Sequence, residues 1–503
     1  MTTFEASQDR RREVAGTHPV IGGFHPDPSV CRVGEDYYLV NSSFEYSPGV
    51  PVWHSADLVR WTQIGNALTG AGRFRAGQAG ASRGIYAPTL RFRAGRFWLI
   101  TTDVSSGGGQ LLTSATDPAG PWAPAVVIDG LEGIDPDLAW DDDGTCYVTY
   151  CSTRPGMEGI AQARVDLERA VALEEPRLVW RGTGLAFPEA PHLYRRDGWW
   201  YLMIAEGGTE RGHGVCVARS RNAEGPFQPA PANPVFSHRS TTHPVQNTGH
   251  ADLVETPDGG WAAVYLGVRP RGTTPMFHVN GRETFLAGVD WIDGWPRFDE
   301  DRFACEIPDR SFVDTFAGPG LHPRWVSPGA PLQEFVTATG PGVTLAPATC
   351  PSGNVSALMA RVTDERWRLD VTLDTSGGAA GVLLRLDDQH WCELRAADGS
   401  AHAVLRIGPL ESRVGEAATG LGPAPTVRIA SEPPTHGGPD DIALSVVRDG
   451  RGVTLARFDG RYLSTEVAGG FTGRTAGVRA LSGTVHVGSV RYEADDAYAG
   501  PRP

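Results

Sequence analysis

Five times in the first three hundred residues, a turn containing Gly or Asp is followed by an aromatic pair or its equivalent and then by a β-branched or small tail. The segments are VGEDYYLVNSS around Tyr38, RAGRFWLITTD around Trp98, DDDGTCYVTYC around Tyr147, RRDGWWYLMIAE around Tyr201 and PDGGWAAVYLG around Trp261. Their spacing of roughly 50 to 60 residues is that of a repeated sheet of four short antiparallel strands, the blade of a β-propeller. A fainter repeat follows three of them: SADLVRW ending at Trp61, SATDPAGPW ending at Trp122 and SRNAEGPF ending at Phe227. These are expected to be outer strands. Blades set around a channel leave one end open as a funnel, a natural site for a ligand of sugar size.

Beyond EIPDRSFVDTF the pattern changes to Pro- and Gly-rich turns between alternating strands such as RWRLDVTLD and DIALSVVRDG. That alternation favours a second, all-β domain, a β-sandwich of the jelly-roll or concanavalin-like kind. The expected organisation is an N-terminal tail over 1–17, a five-bladed propeller over 18–307 and the sandwich over 308–503. No low-complexity linker separates the two domains, so they are expected to dock closely.

A formal net charge of −14 with no basic stripe argues against a nucleic-acid backbone or an anionic membrane as partner. The first residues carry charges where a signal peptide needs an apolar run, and no long apolar run follows, so the chain reads as soluble and cytoplasmic. Seven scattered cysteines without a C-x-x-C pair are expected to be free thiols.

Three acidic residues share one local device, a carboxylate beside proline at the head of a strand pattern: Asp27 in HPDPSV, Asp135 in GIDPDLAW and Glu189 in FPEAPHLY. Pro26 and Pro28 predict an extended Asp27. Equivalent positions of successive blades converge on the axis, where three carboxylates repel one another and raise at least one pKa. Carboxylates of unequal pKa are what glycosidic hydrolysis needs, one protonated to serve the leaving oxygen and one ionised to activate water or attack the sugar.

The chain resembles glycoside hydrolase family 43 in a series of segments in order: FHPDPS, SSFEYSPGVPVWHSADLVRW, GIYAPTLRF, GIDPDLAWDDDG, FPEAPHLYRRDGWWYLMIAEGGT, NTGHADLVET and GRETFLAGVDWIDGWP. The resemblance runs from about His18 to the end of the chain. It implies a five-bladed propeller with a C-terminal β-sandwich and an inverting, exo-acting β-xylosidase, or else an α-L-arabinofuranosidase or an enzyme with both activities. It implies Asp27 as general base, Glu189 as general acid and Asp135 as the carboxylate that orients the acid. Arg282 matches an arginine that binds sugar hydroxyls, and a counter-charge to the acids is an equal reading. Phe44, Tyr86 and Phe285 match pocket-wall positions. His250 matches a histidine below the pocket, near which members hold water or a structural Ca2+ ion; no organic cofactor is implied, and the expected partner is an oligosaccharide.

The sequence departs from the family pattern at Asp137, where Ser is expected, at Ala190, where Gly often follows the acid, and at Tyr86, where Trp is frequent. Two rivals stand beside this reading. Fructosidases share the architecture but carry N-D-P-N and R-D-P strings, which are absent here, and a propeller that binds sugar without catalysis is the rival from another class.

Overall fold

The structure, a computed structural model, describes residues 12–69, 77–107, 109–338 and 340–494. Five antiparallel sheets of four or five strands follow one another, and their first strands, Ser29–Val33, Thr89–Arg93, Gly133–Trp140, Glu189–Arg196 and Gln246–Glu255, neighbour each other in a closed ring. The repeated Gly/Asp turn is the hairpin between the first and second strand of each blade. Gly34, Gly95, Gly144, Gly198 and Gly259 all take positive φ there, and Ala94 and Asp197 precede two of them at φ 53° and 50°. Two consecutive residues at positive φ make the tight hairpin turn whose twist suits the flanking strands.

The aromatic residues after each turn explain the rest of the repeat, because they fill the seams between blades rather than one central core. Tyr38 meets Phe97 edge-on at 5.0 Å between blades 1 and 2. Trp98 with Tyr150, Tyr147 with Trp200, and Tyr201 with Tyr265 belong to the next three seams. Tyr37, Val254 and Val264 close the ring between blades 1 and 5. The fainter repeat is not outer strand. SADLVRW, SATDPAGPW and SRNAEGPF begin at the end of each third strand and make the connection to the fourth, at Thr62–Leu68, Val126–Ile128 and Gln228–Pro229. Their Asp, Pro and Gly residues favour turns over ladders.

Residues 1–11 of the expected tail lie outside the described residues, but Arg12–Val14 is a strand paired with Ala304–Glu306, so the tail is built into the propeller's edge. From Phe312 the chain forms an eight-stranded and a six-stranded antiparallel sheet that face each other across one apolar core. Trp367–Asp374 alternates buried and outward residues, as its sequence does. Among the described residues the only α-helix is Thr465–Ala468, and no helix is long and apolar enough to cross a membrane.

The sandwich docks on the propeller through an apolar seam of Phe24, Phe44, Tyr46, Val326, Met359 and Leu383. Within it Arg385 is wholly buried, 3.3 Å from Glu45 and 2.6 Å from the Tyr46 hydroxyl. A second buried pair, Arg269 with Glu283 at 2.6 Å, reaches Glu365 of the sandwich at 3.3 Å.

At the axis Arg91 of blade 2 donates to Asp137 of blade 3 at 2.7 Å and to Asp252 of blade 5 at 2.8 Å. Ser29 of blade 1 and Tyr194 of blade 4 donate to the same Asp252 at 2.7 and 2.6 Å. Although burial alone would raise it, the Arg91 guanidinium holds the Asp252 carboxyl far below the usual range. Asp137, the unexpected carboxylate, is thus the partner of Arg91 and the Leu193 N–H. Removing one member of a buried ion network leaves unpaired charge, at a cost of about 3–5 kcal/mol. Arg91→Met is therefore expected to lower the urea unfolding free energy by about that amount, and a change within error would show that Arg91 does not join the blades.

Candidate active site

Asp27 stands two residues before the inner strand of blade 1, Asp135 within that of blade 3, Glu189 at the head of that of blade 4, and Arg282 just before the third strand of blade 5. All four line one cavity of about 350 Å³, with Phe44, Tyr86, Phe187, His250 and Phe471. A second cavity, of about 370 Å³, lies between the domains beside Trp53, Arg310 and Arg361 and contains none of the three carboxylates.

The backbone around the pocket is strained. Asp27 is not extended but left-handed, at φ 54°, and Asp135, Ala190, His250 and Phe44 lie at 56°, 54°, 48° and 51°. Tertiary hydrogen bonds override the proline preference at Asp27. The Asn41 amide donates to the carbonyls of His25 and Pro26, and Ser42 Oγ donates to Asp27 Oδ2 at 2.5 Å. Such conformations persist where the surroundings over-determine them, and they cluster at functional sites. Ala190 occupies a conformation in which glycine would carry no Cβ penalty, which gives a physical reason for glycine after the acid.

The three carboxyls have different environments. Burial would raise Asp27, but Arg282 Nη1 at 3.1 Å, His250 at 3.4 Å and the Ser42 hydroxyl together hold it below the ordinary value, so it is ionised at neutral pH. Glu189 is pushed up to about 7, first by burial and then by the charge on Asp27, with Arg282 opposing. Asp135 is raised by burial and then by Glu189 and Asp27, while the Ala190 N–H donates to its Oδ2 at 3.1 Å. That bond comes from the residue next to Glu189, so Asp135 and Glu189 titrate as a neighbouring pair that retains a proton where Asp27 has none. Below about pH 7 an ionised Asp27 and a protonated Glu189 therefore face the same cavity.

Arg282 pairs with Asp27 and lines the cavity, where Nη1 also reaches Thr209 Oγ1 at 3.1 Å. Phe44 and Tyr86 form part of the wall, their rings 5.7 Å apart. Phe285 does not. It is 0% exposed and stacks on Tyr265 in the seam between blades 4 and 5, because its strand alternates and Phe285 points away from the funnel.

His250 is buried and pushed down to about 3, mainly by that burial, so it is neutral. A calcium ion there would draw nearly all of its six to eight oxygens from water, since the nearby side chains are the imidazoles of His192 and His213 and an Asp27 already paired with Arg282. Among the described residues the one grouping of three side chains able to hold a metal ion lies elsewhere, at His238, His243 and Glu300.

Two wall residues were not found from the sequence. Phe187 precedes the acid by two residues, takes φ 54° and stands 70% exposed at the cavity rim. Phe471 comes from the sandwich. Its loop turns through Gly469 and Gly470 at φ 76° and 85°, its N–H donates to Ser82 Oγ at 2.8 Å, and its carbonyl accepts from Arg282 at 3.4 Å. Its ring lies 6.1 Å from Phe44 and 5.9 Å from Tyr86. Ser82 is held in turn by Glu45, the partner of Arg385, so the interdomain ion pair positions the wall. No local signal marks either residue, because both acquire their place only when separate elements dock.

Residues 16–296 match the family model described as glycosyl hydrolases family 43, and residues 313–493 match that of the β-xylosidase C-terminal concanavalin A-like domain. A Butyrivibrio fibrisolvens protein named xylosidase/arabinosidase is 38% identical, over 79% of this chain and 83% of its own length. A Bacteroides ovatus protein named non-reducing end α-L-arabinofuranosidase is 33% identical, over 92% and 90%. Among solved structures, a Bacteroides ovatus xyloglucan PUL GH43B protein has a TM-score of 0.86 at 30% identity, covering 96% of this chain and all of that one. The xylan β-1,4-xylosidase of Bacillus halodurans has a TM-score of 0.83 at 26% identity, covering 95% and 99%.

An aromatic contact of the Phe471 kind contributes about 0.5–1.5 kcal/mol beyond its area. Phe471→Ala is expected to raise KM for a small glycoside roughly 2- to 10-fold with an unchanged melting temperature; an unchanged KM would remove the sandwich from the binding site.

Proposed function

The chain belongs to glycosyl hydrolases family 43, and from that premise we propose that it is an exo-acting β-xylosidase that removes single xylose units from the non-reducing ends of short oligosaccharides with inversion. The observation that carries the reading is that Asp27, paired with Arg282, and Glu189, buried and pushed up to about 7, line one sugar-sized cavity with Phe44, Tyr86 and Phe471.

In this mechanism Asp27 takes a proton from a water that attacks the anomeric carbon, while Glu189 gives its proton to the departing glycosidic oxygen. Inversion needs roughly 6.5–9.5 Å between the two carboxyls for that water. In keeping with a separation, the Asp27 carboxylate is engaged by Ser42, Arg282 and His250. Asp135 holds the backbone beside Glu189 and opposes its ionisation until the leaving oxygen takes the proton. Arg282 keeps Asp27 ionised and presents donors to sugar hydroxyls. Phe187 offers a flat apolar face to the second sugar at the rim. These steps call for no organic cofactor. Seven free cysteines suit a reducing compartment, in support of a cytoplasmic setting.

Arabinofuranose is the second reading, favoured by the relative named for that activity, and Tyr86 on the pocket wall leaves the choice of ring open. Hydrolysis of nitrophenyl β-D-xylopyranoside against the α-L-arabinofuranoside decides between them, and preference for the second would replace xylose in the proposal. Proton NMR of the first-formed sugar is expected to show the inverted anomer; the retained anomer would make Asp27 a nucleophile.

Asp27→Asn is expected to lower kcat by about 10²–10⁴-fold, and substantial remaining activity would exclude it as base. Activity needs Asp27 ionised and Glu189 protonated, so kcat/KM should fall as pH rises through about 7. With an activated leaving group, Glu189→Gln should remove that alkaline fall, and its persistence would assign the limb to another group.

A further inference from the structure

Away from the pocket, the segment joining blades 4 and 5 carries His238 and His243, and the outer edge of blade 5 ends at Glu300. One ligating atom from each of these three side chains lies within 4.8 Å of the other two. The polar atoms not needed for a ligand are already tied. His238 Nδ1 lies 2.8 Å from the Val245 carbonyl, which only accepts, so Nδ1 carries a proton; Nε2 donates to Glu300 without an ion and would give up that proton to ligate one. Glu300 Oε1 accepts from the Tyr265 hydroxyl at 2.7 Å, and Oε2 faces His238 Nε2 at 2.8 Å. His243 Nδ1 lies 3.1 Å from the same Val245 carbonyl and accepts from the Val245 N–H at 3.2 Å, so its ring is held beside Val245 in either tautomer, and Nε2 ligates in the one that donates to the carbonyl. The charged groups that act most strongly on His243 are His238, Glu300 and Asp301.

Outer hydrogen bonds that fix the tautomer and ring orientation of histidines, with a carboxylate anchored at its far oxygen, are the support a metal site requires. Two imidazoles and one carboxylate suit zinc-class ions rather than calcium or magnesium, which take oxygen ligands. We propose that His238, His243 and Glu300 form a structural site for a divalent ion of the zinc class, which clamps the 238–245 segment to the edge of blade 5. His238 is buried while His243 is half-exposed, so the site is open to solvent on one side and an ion can enter. Gly16 packs directly on Glu300, where a Cβ would stand 2.5 Å from that residue's own, so the clamp would sit beside the segment that follows the strand 12–14.

The test is equilibrium dialysis of chelator-treated full-length protein against Zn2+, with metal analysis and thermal melting of wild type, His243→Ala and Glu300→Gln. Wild type should retain one equivalent more than either variant and melt higher with Zn2+, while both variants lose that rise and keep pentoside hydrolysis. Co2+ in place of Zn2+ should give ligand-field bands without thiolate charge transfer, which separates this site from the seven cysteines. Equal Zn2+ uptake by wild type and His243→Ala, or an equal melting shift in all three, would overturn the proposal and leave an ion pair between His238 and Glu300.

Discussion

A single guanidinium, Arg91, sets the register of this molecule. Its carboxylate partners and their hydroxyl donors come from all the other blades, so the ring can close only with the inner strands in one alignment. The pocket residues lie a short step along the same strands: Asp27 two residues from Ser29, Asp135 two from Asp137, His250 two from Asp252 and Glu189 three from His192. Successive side chains of a regular strand alternate faces, and the register shifts after Ile134 and Glu189 re-aim the side chains between the axis and the funnel. The axis network is thereby the footing of the site above it.

On that footing, electrostatics assign the work. One arginine serves three carboxyls and sits on Asp27, so the charge deficit falls on the other two. Asp27 stays ionised because it has Arg282 and Ser42; Glu189 keeps a proton because it is buried beside Asp27 and has little to offset that. The division of labour between base and acid follows from where the cation is placed, not from the chemistry of the side chains, which are alike.

Much of this was legible in the sequence. The hairpin repeat fixes blade count because each turn needs a residue at positive φ and each seam needs aromatic filling, and both are local demands that leave local traces. The carboxylates were legible through their proline neighbours and the family resemblance. What could not be read depends on contacts between distant segments. The conformation of Asp27 is decided by Asn41 and Ser42, the destiny of Phe285 by strand phase, the pairing of Asp137 by an arginine 46 residues earlier, and Phe471 by the docking of the second domain through Glu45 and Arg385.

Catalysis by this pair depends on an Asp27 that is already ionised while Glu189 still holds its proton, up to about pH 7. Carbon-13 NMR titration of side-chain carboxyls, assigned with Asp27→Asn and Glu189→Gln, tests it without substrate. A Glu189 resonance that titrates near 7 is expected, with an Asp27 resonance that stays ionised below the ordinary carboxylate range. A Glu189 that titrates like an exposed carboxylate, with Asp27 titrating above it, would contradict the assignment of acid and base.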